Sequence, residues 1–273
     1  MIPSHMSNQD LVITSVQNQR IKDLVRLRKR PQREKAGALL IEGYRELNRA
    51  LANHYPIRQL YYCPDWYLGE NEPGLVAACR AAGAETVCCS RDVFDKIAYK
   101  DRPEGLLAVA APLAKTLADL PVVHPGLYLI AEAIEKPGNL GSILRSADAA
   151  GVHGVIVCDH CTDLNNPNVV RSSVGTVFSL PVVEASTQDT LAWLKQHEVK
   201  TLAATPSAKA LYTDVDMTQD IALVVGTEKF GLSEAWLNGA DLPVRIPMLG
   251  QIDSLNVACA TTLLLYEAVR QRA

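Results

Sequence analysis

The chain has 273 residues, of which 48% are hydrophobic and 21% charged, with a formal net charge of −3. That length fits about two domains, each with ample material for a core. No apolar run approaches the ~20 residues of a membrane span, and no charged-then-apolar leader opens the chain, so the reading is a cytoplasmic protein with no membrane partner. The opening MIPSHM is left out of the fold reading, because residues 1–5 look like an expression remnant, which would make Met6 the natural start.

In chain order, 21–30 has apolar residues at Ile21, Leu24, Val25 and Leu27, which predicts an amphipathic helix with basic residues outward, ended or interrupted by Pro31. Strands are predicted at 39–42, 57–63, 85–89 and 106–111, alternating with helices at 44–53, 74–82 and 91–98. This alternation describes a small α/β domain, 1–111. From 112 to 126 the pattern weakens toward Pro121, Pro125 and Gly126, and a linker is expected.

The second domain, 127–273, opens with a strand at 127–133, and PGN at 137–139 turns into a helix reaching about 150. A strand at 154–158 is followed by the irregular TDLNNPNVVRSSVG, then by 178–183, a helix at 187–197 and a strand at 200–204. The β-branched runs 221–225 and 244–246 stop at Gly226 and Pro247, and Ser254 stands where the N-cap of a last, nearly all-apolar helix belongs. Glu267, Arg270 and Arg272 mark its wet end. Short strands with intervening helices predict a mostly parallel sheet with helices on both faces. Loops leaving the carboxyl ends of such strands are where ligands bind.

Seven cysteines, an odd number mostly inside apolar runs, read as reduced core thiols. Cys158 and Cys161 form a CxxC near Asp159, His160 and Asp163, but no second ligand pair follows at zinc-site spacing, so no metal is expected. Charge is distributed unevenly. From Arg20 to Lys35 there are eight basic and two acidic residues, a local +6 that leaves −9 for the rest of the chain. Arg20, Arg26, Arg28, Lys29, Arg30 and Arg33 are therefore candidate contacts to a polyanion, against the alternative of a solvated helix face.

Asn139, Gly141 and Arg145 are spaced N-x-G-x-x-x-R across a helix start, where Asn139 can cap and Arg145 lies one turn beyond Gly141. A helix start plus an arginine suits phosphate, though an ordinary capped helix would look the same.

Three segments in order, NLGSILR at 139–145, VVGTEKFGLS at 224–233 and IPMLGQIDSLNVACA at 246–260, resemble the SpoU-type RNA ribose methyltransferases of the SPOUT superfamily. LLIEGYREL at 39–47, after the basic stretch, is similar to the substrate-binding domain that accompanies many members, so the resemblance runs from about 13 to 270. It implies a C-terminal trefoil knot, a homodimer through the catalytic domain, S-adenosylmethionine as methyl donor and a ribose 2′-hydroxyl as acceptor. By carry-over, Gly226, Ile246 and Leu255, with Thr205 and Met248, hold the cofactor. Asn139, Arg145, Glu228, Ser254 and Asn256 fall on the polar catalytic positions, and Arg171 lies in a family-like stretch that touches RNA or a partner subunit. The family position of Arg145 has been proposed as a base, but arginine keeps its proton to about pH 12.5 or above. Phosphate binding and stabilisation of a developing alkoxide are safer roles for it. Ser142 stands where alanine is common, which should leave the helix start intact.

The resemblance favours an RNA ribose methyltransferase acting on ribosomal RNA, most simply of the large subunit. The alternatives are a transfer-RNA enzyme and a non-catalytic RNA-binding assembly or resistance factor. A dinucleotide oxidoreductase fails because no G-x-G-x-x-G follows the first strand of the second domain.

Overall fold

The structure is a computed structural model that describes residues 11–99, 102–227 and 229–273. It forms two compact units, one of the described residues up to Leu113 together with Asn165–Phe178, the other of Ala114–Leu164 and Ser179–Ala273.

The first unit is built on five strands, β1 (Leu11–Ile13), β2 (Leu39–Glu42), β3 (Ile57–Tyr62), β4 (Glu85–Cys89) and β5 (Leu106–Ala110), in the order β1-β4-β3-β5-β2. β4 pairs in parallel with β1 and β3, whereas β5 runs antiparallel to β3 and β2. β2 and β5 are buried along their whole length. The basic stretch differs from its sequence reading: it is two helices, α1 (Gln19–Arg26) and α2 (Arg30–Ala36). Pro31 starts the second helix instead of stopping the first, because in the first turn its missing N–H has no helical acceptor to lose. The Asn18 side chain caps α1 by accepting from Arg20 N at 2.9 Å, and Ile21 and Leu24 enter the core with Ile13, Tyr61 and Phe94. Burying each such side chain is worth ~1.5–3 kcal/mol. The remaining helices are α3 (Tyr44–Ala52), α4 (Glu72–Ala81) and α5 (Arg91–Ile97).

Part of the asparagine-rich stretch is also ordered here, as α7 (Pro167–Ser172), following α6 (Pro137–Ala149) along the chain. The Asn166 side chain caps α7 by accepting from Asn168 N at 2.9 Å. Arg49 Nη1 donates to the Val174 carbonyl at 2.7 Å, and the rings of Tyr55 and Phe178 lie 4.7 Å apart.

The second unit holds seven strands, all parallel: β6 (Leu127–Glu132), β7 (Gly154–Cys158), β8 (Val182–Ala185), β9 (Lys200–Ala204), β10 (Ala210–Leu211), β11 (Ile221–Val225) and β12 (Leu242–Arg245). Their order is β10-β12-β9-β11-β6-β7-β8. The chain builds outward from β6 through β7 and β8, then returns to the other side, so the order reverses beside β6. Glu132, Ala204, Val225 and Arg245 end neighbouring parallel strands on one side of the sheet. α8 (Thr187–Gln196), α9 (Glu234–Gly239) and α10 (Val257–Arg272) complete the unit. Tyr128, Ile130, Val224 and Trp236 are among the fully buried residues of its core.

β12 begins two residues before its predicted start, because Pro243 had hidden it. α10 differs more. Glu267 is buried and accepts from Arg270 and Gln271, while Leu263 and Tyr266 are 43% and 48% exposed. With Cys259 they mark an apolar stripe at helical spacing on the outside of α10. No helix among the described residues is long and apolar enough to cross a membrane.

Candidate active site

Three loops leave the carboxyl ends of β9, β11 and β12 and enclose a cavity of about 380 Å³. Thr205, Gly226, Ile246, Met248 and Leu255 all line it, as do Ser254, Val225, Leu232 and Val257. Its described lining is mostly apolar, with Lys229 and Asp253 the charged members. Such walls suit an adenine ring and an aliphatic chain, with orientation left to a few backbone groups.

The loop after β11 is held from inside. Thr227 N donates to the Gly231 carbonyl at 3.1 Å, Gly231 N returns to Thr227 O at 3.0 Å, and Phe230 N donates to Thr227 Oγ1 at 2.9 Å. Glu132, buried at the end of β6, accepts from Ser233 N at 2.8 Å and ties the far end of the loop to the sheet. Gly226 is required by this return, since a Cβ there would overlap the backbone of Gly231 and Leu232. Glu228, assigned by resemblance to fixing this loop, lies outside the described residues. The β9 loop is anchored differently, with Thr205 N donating to Val244 O of β12 at 2.9 Å.

Two helix starts meet beside the cavity, and both depart from the sequence reading. Asn256, not Ser254, is the N-cap of α10: its Oδ1 accepts from Ala258 N at 3.0 Å. Ser254 is exposed on the preceding loop and donates to Asp253 Oδ1 at 3.2 Å. α6 begins at Pro137, which places Asn139 inside its first turn rather than at its cap. Asn256 Nδ2 donates to Asn139 Oδ1 at 3.2 Å, so one residue caps one helix and links it to the other. Further along the same pair of helices, Ser146 and Thr262 hydroxyls lie 2.7 Å apart.

A second cavity of about 240 Å³ is lined by Ile134, Glu135, Lys136, Asn139, Thr227, Lys229 and Val257. It shares Thr227, Lys229 and Val257 with the first. Lys229 was not singled out from the sequence, where it was one lysine of a polar loop. Arg145 stands six residues beyond Asn139 on α6, about 9 Å along the axis at helical rise. It is exposed, and no other described residue pairs with its guanidinium, which leaves all its donors for a ligand.

The basic stretch is less free than its charge count. Arg33 is buried, 4% exposed, and its Nη1 donates to the carbonyls of Leu27 and Arg28. It closes the turn between α1 and α2, so its assignment as an RNA contact is corrected to a positioning role. Arg28 is partly buried, its Nη2 donating to Lys96 O at 2.9 Å. Arg20, Arg26 and Arg30 pair with Glu85, Asp23 and Glu34 on the surface. Such pairs are worth about 0–1 kcal/mol and open readily to a phosphate. Lys29 is exposed, as is Arg171, which sits on α7 in the first unit and not with the cavity residues.

Among the described residues no group of three or more His, Cys, Asp or Glu side chains is placed to hold a metal ion. Cys158 is buried, hydrogen-bonds to Thr190, and burial pushes its thiol up to about 12, while Cys161 faces solvent.

Residues 126–266 match the SpoU rRNA Methylase family, and residues 18–108 match the MRM3-like substrate binding domain. The 23S rRNA (uridine(2479)-2′-O)-methyltransferase of Streptomyces viridochromogenes is 37% identical, covering 89% of this chain and 86% of its own. The 23S rRNA (guanosine(2553)-2′-O)-methyltransferase of Bacillus subtilis is 31% identical, covering 93% and 97%. The crystal structure of an AdoMet-bound rRNA methyltransferase from Sinorhizobium meliloti is similar with a TM-score of 0.89 at 29% identity, covering 97% of this chain and 99% of that one.

Proposed function

This chain belongs to the SpoU rRNA methylase family and is an S-adenosylmethionine-dependent RNA ribose 2′-O-methyltransferase; we propose that it acts in the cytoplasm on large-subunit ribosomal RNA. The observation that carries the site assignment is the meeting of Thr205, Gly226, Ile246, Met248 and Leu255 around one cavity that shares a wall with a second. The first cavity holds the cofactor and the second the acceptor ribose. When bound, S-adenosylmethionine supplies an electrophilic methyl group whose positive charge disappears on transfer, so an apolar cavity costs the reaction little.

The chain's own residues do the rest. Asn256 and Asn139 fix the approach of α10 and α6 and present an amide edge to the ribose. Arg145 binds the adjacent phosphate and stabilises negative charge developing on the 2′-oxygen, with Ser254 and Glu228 as further contacts. Glu132 and Gly226 hold the loop that separates the cavities. Residues 1–111 bind the RNA, 112–126 link, and 127–273 carry the chemistry, with the segment from β11 to α10 threaded as a trefoil knot. A homodimer through the catalytic domain would bury the stripe of Cys259, Leu263 and Tyr266 on α10, together with Leu249, which is 97% exposed.

Arg145→Ala tests the division of labour. Methyl transfer to ribosomal RNA is expected to fall by at least 100-fold, the scale of losing one charge-stabilising donor, while calorimetry finds cofactor affinity unchanged. Loss of cofactor affinity would instead place Arg145 in the first cavity.

A further inference from the structure

The first unit contains a cavity of about 650 Å³ lined by Arg28, Trp66, Asp95, Lys96, Ala98 and Tyr99. Arg28 is fixed in its wall, donating from Nη2 to the carbonyls of Lys96 at 2.9 Å and Ala98 at 2.5 Å, with its guanidinium 5.9 Å from the centre of the Tyr99 ring. The guanidinium of Arg91 lies over the Trp66 ring at 4.2 Å. Two donors in this wall are left over. Arg28 Nε and Trp66 Nε1 are buried, and among the described residues neither has a hydrogen-bond partner. Buried N–H groups without acceptors are uncommon in folded proteins and call for an explanation. Here both belong to residues lining one cavity, beside the exposed ammonium of Lys96.

Such a wall suits an anion carrying a ring. Arg28 and Lys96 outnumber Asp95 in the lining, and guanidinium planes with aromatic faces are what splayed nucleobases stack on. Lys29, next along the chain from Arg28, is also exposed. We propose that this cavity holds one unstacked nucleotide of a single-stranded RNA segment, its base against Trp66 and Tyr99 and its phosphate at Arg28 and Lys96. The proposal rests on RNA being the substrate of this protein, and it adds a subsite that the run of basic residues did not disclose.

The test uses the full chain and a single-stranded 5-bromouridine RNA of about ten nucleotides, the length one single-strand-binding fold covers. Photocrosslinking followed by peptide mapping is expected to mark Trp66 or Tyr99. Lys96→Glu alters an exposed side chain and should leave the fold intact, and Tyr99→Leu removes a stacking ring. Each is expected to weaken oligonucleotide binding about five- to 100-fold and to raise KM for RNA, with kcat and cofactor affinity unchanged. Crosslinks confined to other peptides, or wild-type affinity in both variants while wild-type protein methylates RNA, would overturn the subsite and leave the enzyme assignment standing. A wild-type protein that neither binds nor methylates RNA would overturn both.

Discussion

Replacing Asn256 separates two jobs that one side chain performs. Its Oδ1 caps α10 through Ala258 N, and its Nδ2 reaches Asn139 on α6. Serine caps a helix as well as asparagine does but is too short to bridge to the second helix, so Asn256→Ser keeps the cap and removes the link, worth about 0.5–1.5 kcal/mol. Asn256→Ala removes the cap as well, a further ~1 kcal/mol. Urea denaturation followed through Trp193 and Trp236, both buried in the second unit, should therefore rank wild type above Asn256→Ser and Asn256→Ser above Asn256→Ala. Methyl transfer should not follow that ranking. Both variants lose the group that holds Asn139, and both should fall in kcat by a similar factor of at least ten. Equal stability of the two variants would show that the cap does not matter. Full turnover in Asn256→Ser would remove the asparagine pair from the orientation of the ribose.

Three further outcomes are expected. Gly226→Ala drives a Cβ into the backbone of Gly231 and Leu232, an overpacking of about 1–3 kcal/mol, so calorimetry should find cofactor affinity reduced about five- to 150-fold; unchanged affinity would mean that the loop is not the cofactor's wall. Lys22, Arg26, Lys29 and Lys35 are all exposed, so changing the four together to Gln should spare the fold that Arg33 supports. The slope of log affinity for RNA against log salt should flatten by up to about 3, and an unchanged slope would take the α1–α2 surface out of the interface. Under the proposed dimer, the wild type is expected to sediment as a dimer and Leu263→Glu with Tyr266→Glu as a monomer; a wild type that sediments as a monomer would refute the dimer, and a double variant that sediments as a dimer would move the contact off α10.

Apolar runs such as 127–131 and 221–225 were legible as buried parallel strands because helices cover both faces of the sheet and no polar alternation is needed. β1 and β10, at three and two residues, are too short to show any period. Choosing between Ser254 and Asn256 as the cap was beyond local pattern, since both side chains cap well and only the position of the first helical turn decides. Arg33 looked like surface charge because nothing in its neighbours reveals that the turn at 27–29 leaves carbonyls for a guanidinium to satisfy. The same holds for Glu267, buried where a wet end was expected, and for Leu263 and Tyr266, which face outward on a helix read as wholly buried. The cavity residues came from resemblance alone. They sit on three segments, near 205, 226–232 and 246–257, that meet only when the sheet forms, and no spacing rule brings them together.

The central claim is a ribose 2′-O-methyl group placed on large-subunit RNA, and the direct test is transfer of tritiated methyl from S-adenosylmethionine to total ribosomal RNA and total transfer RNA from a strain lacking this protein. Nuclease mapping and alkaline hydrolysis should then leave the label in one alkali-resistant dinucleotide of 23S RNA, because a methylated 2′-oxygen cannot attack the neighbouring phosphate. Label released by alkali as mononucleotide would place the methyl on a base and contradict the account, as would label confined to transfer RNA.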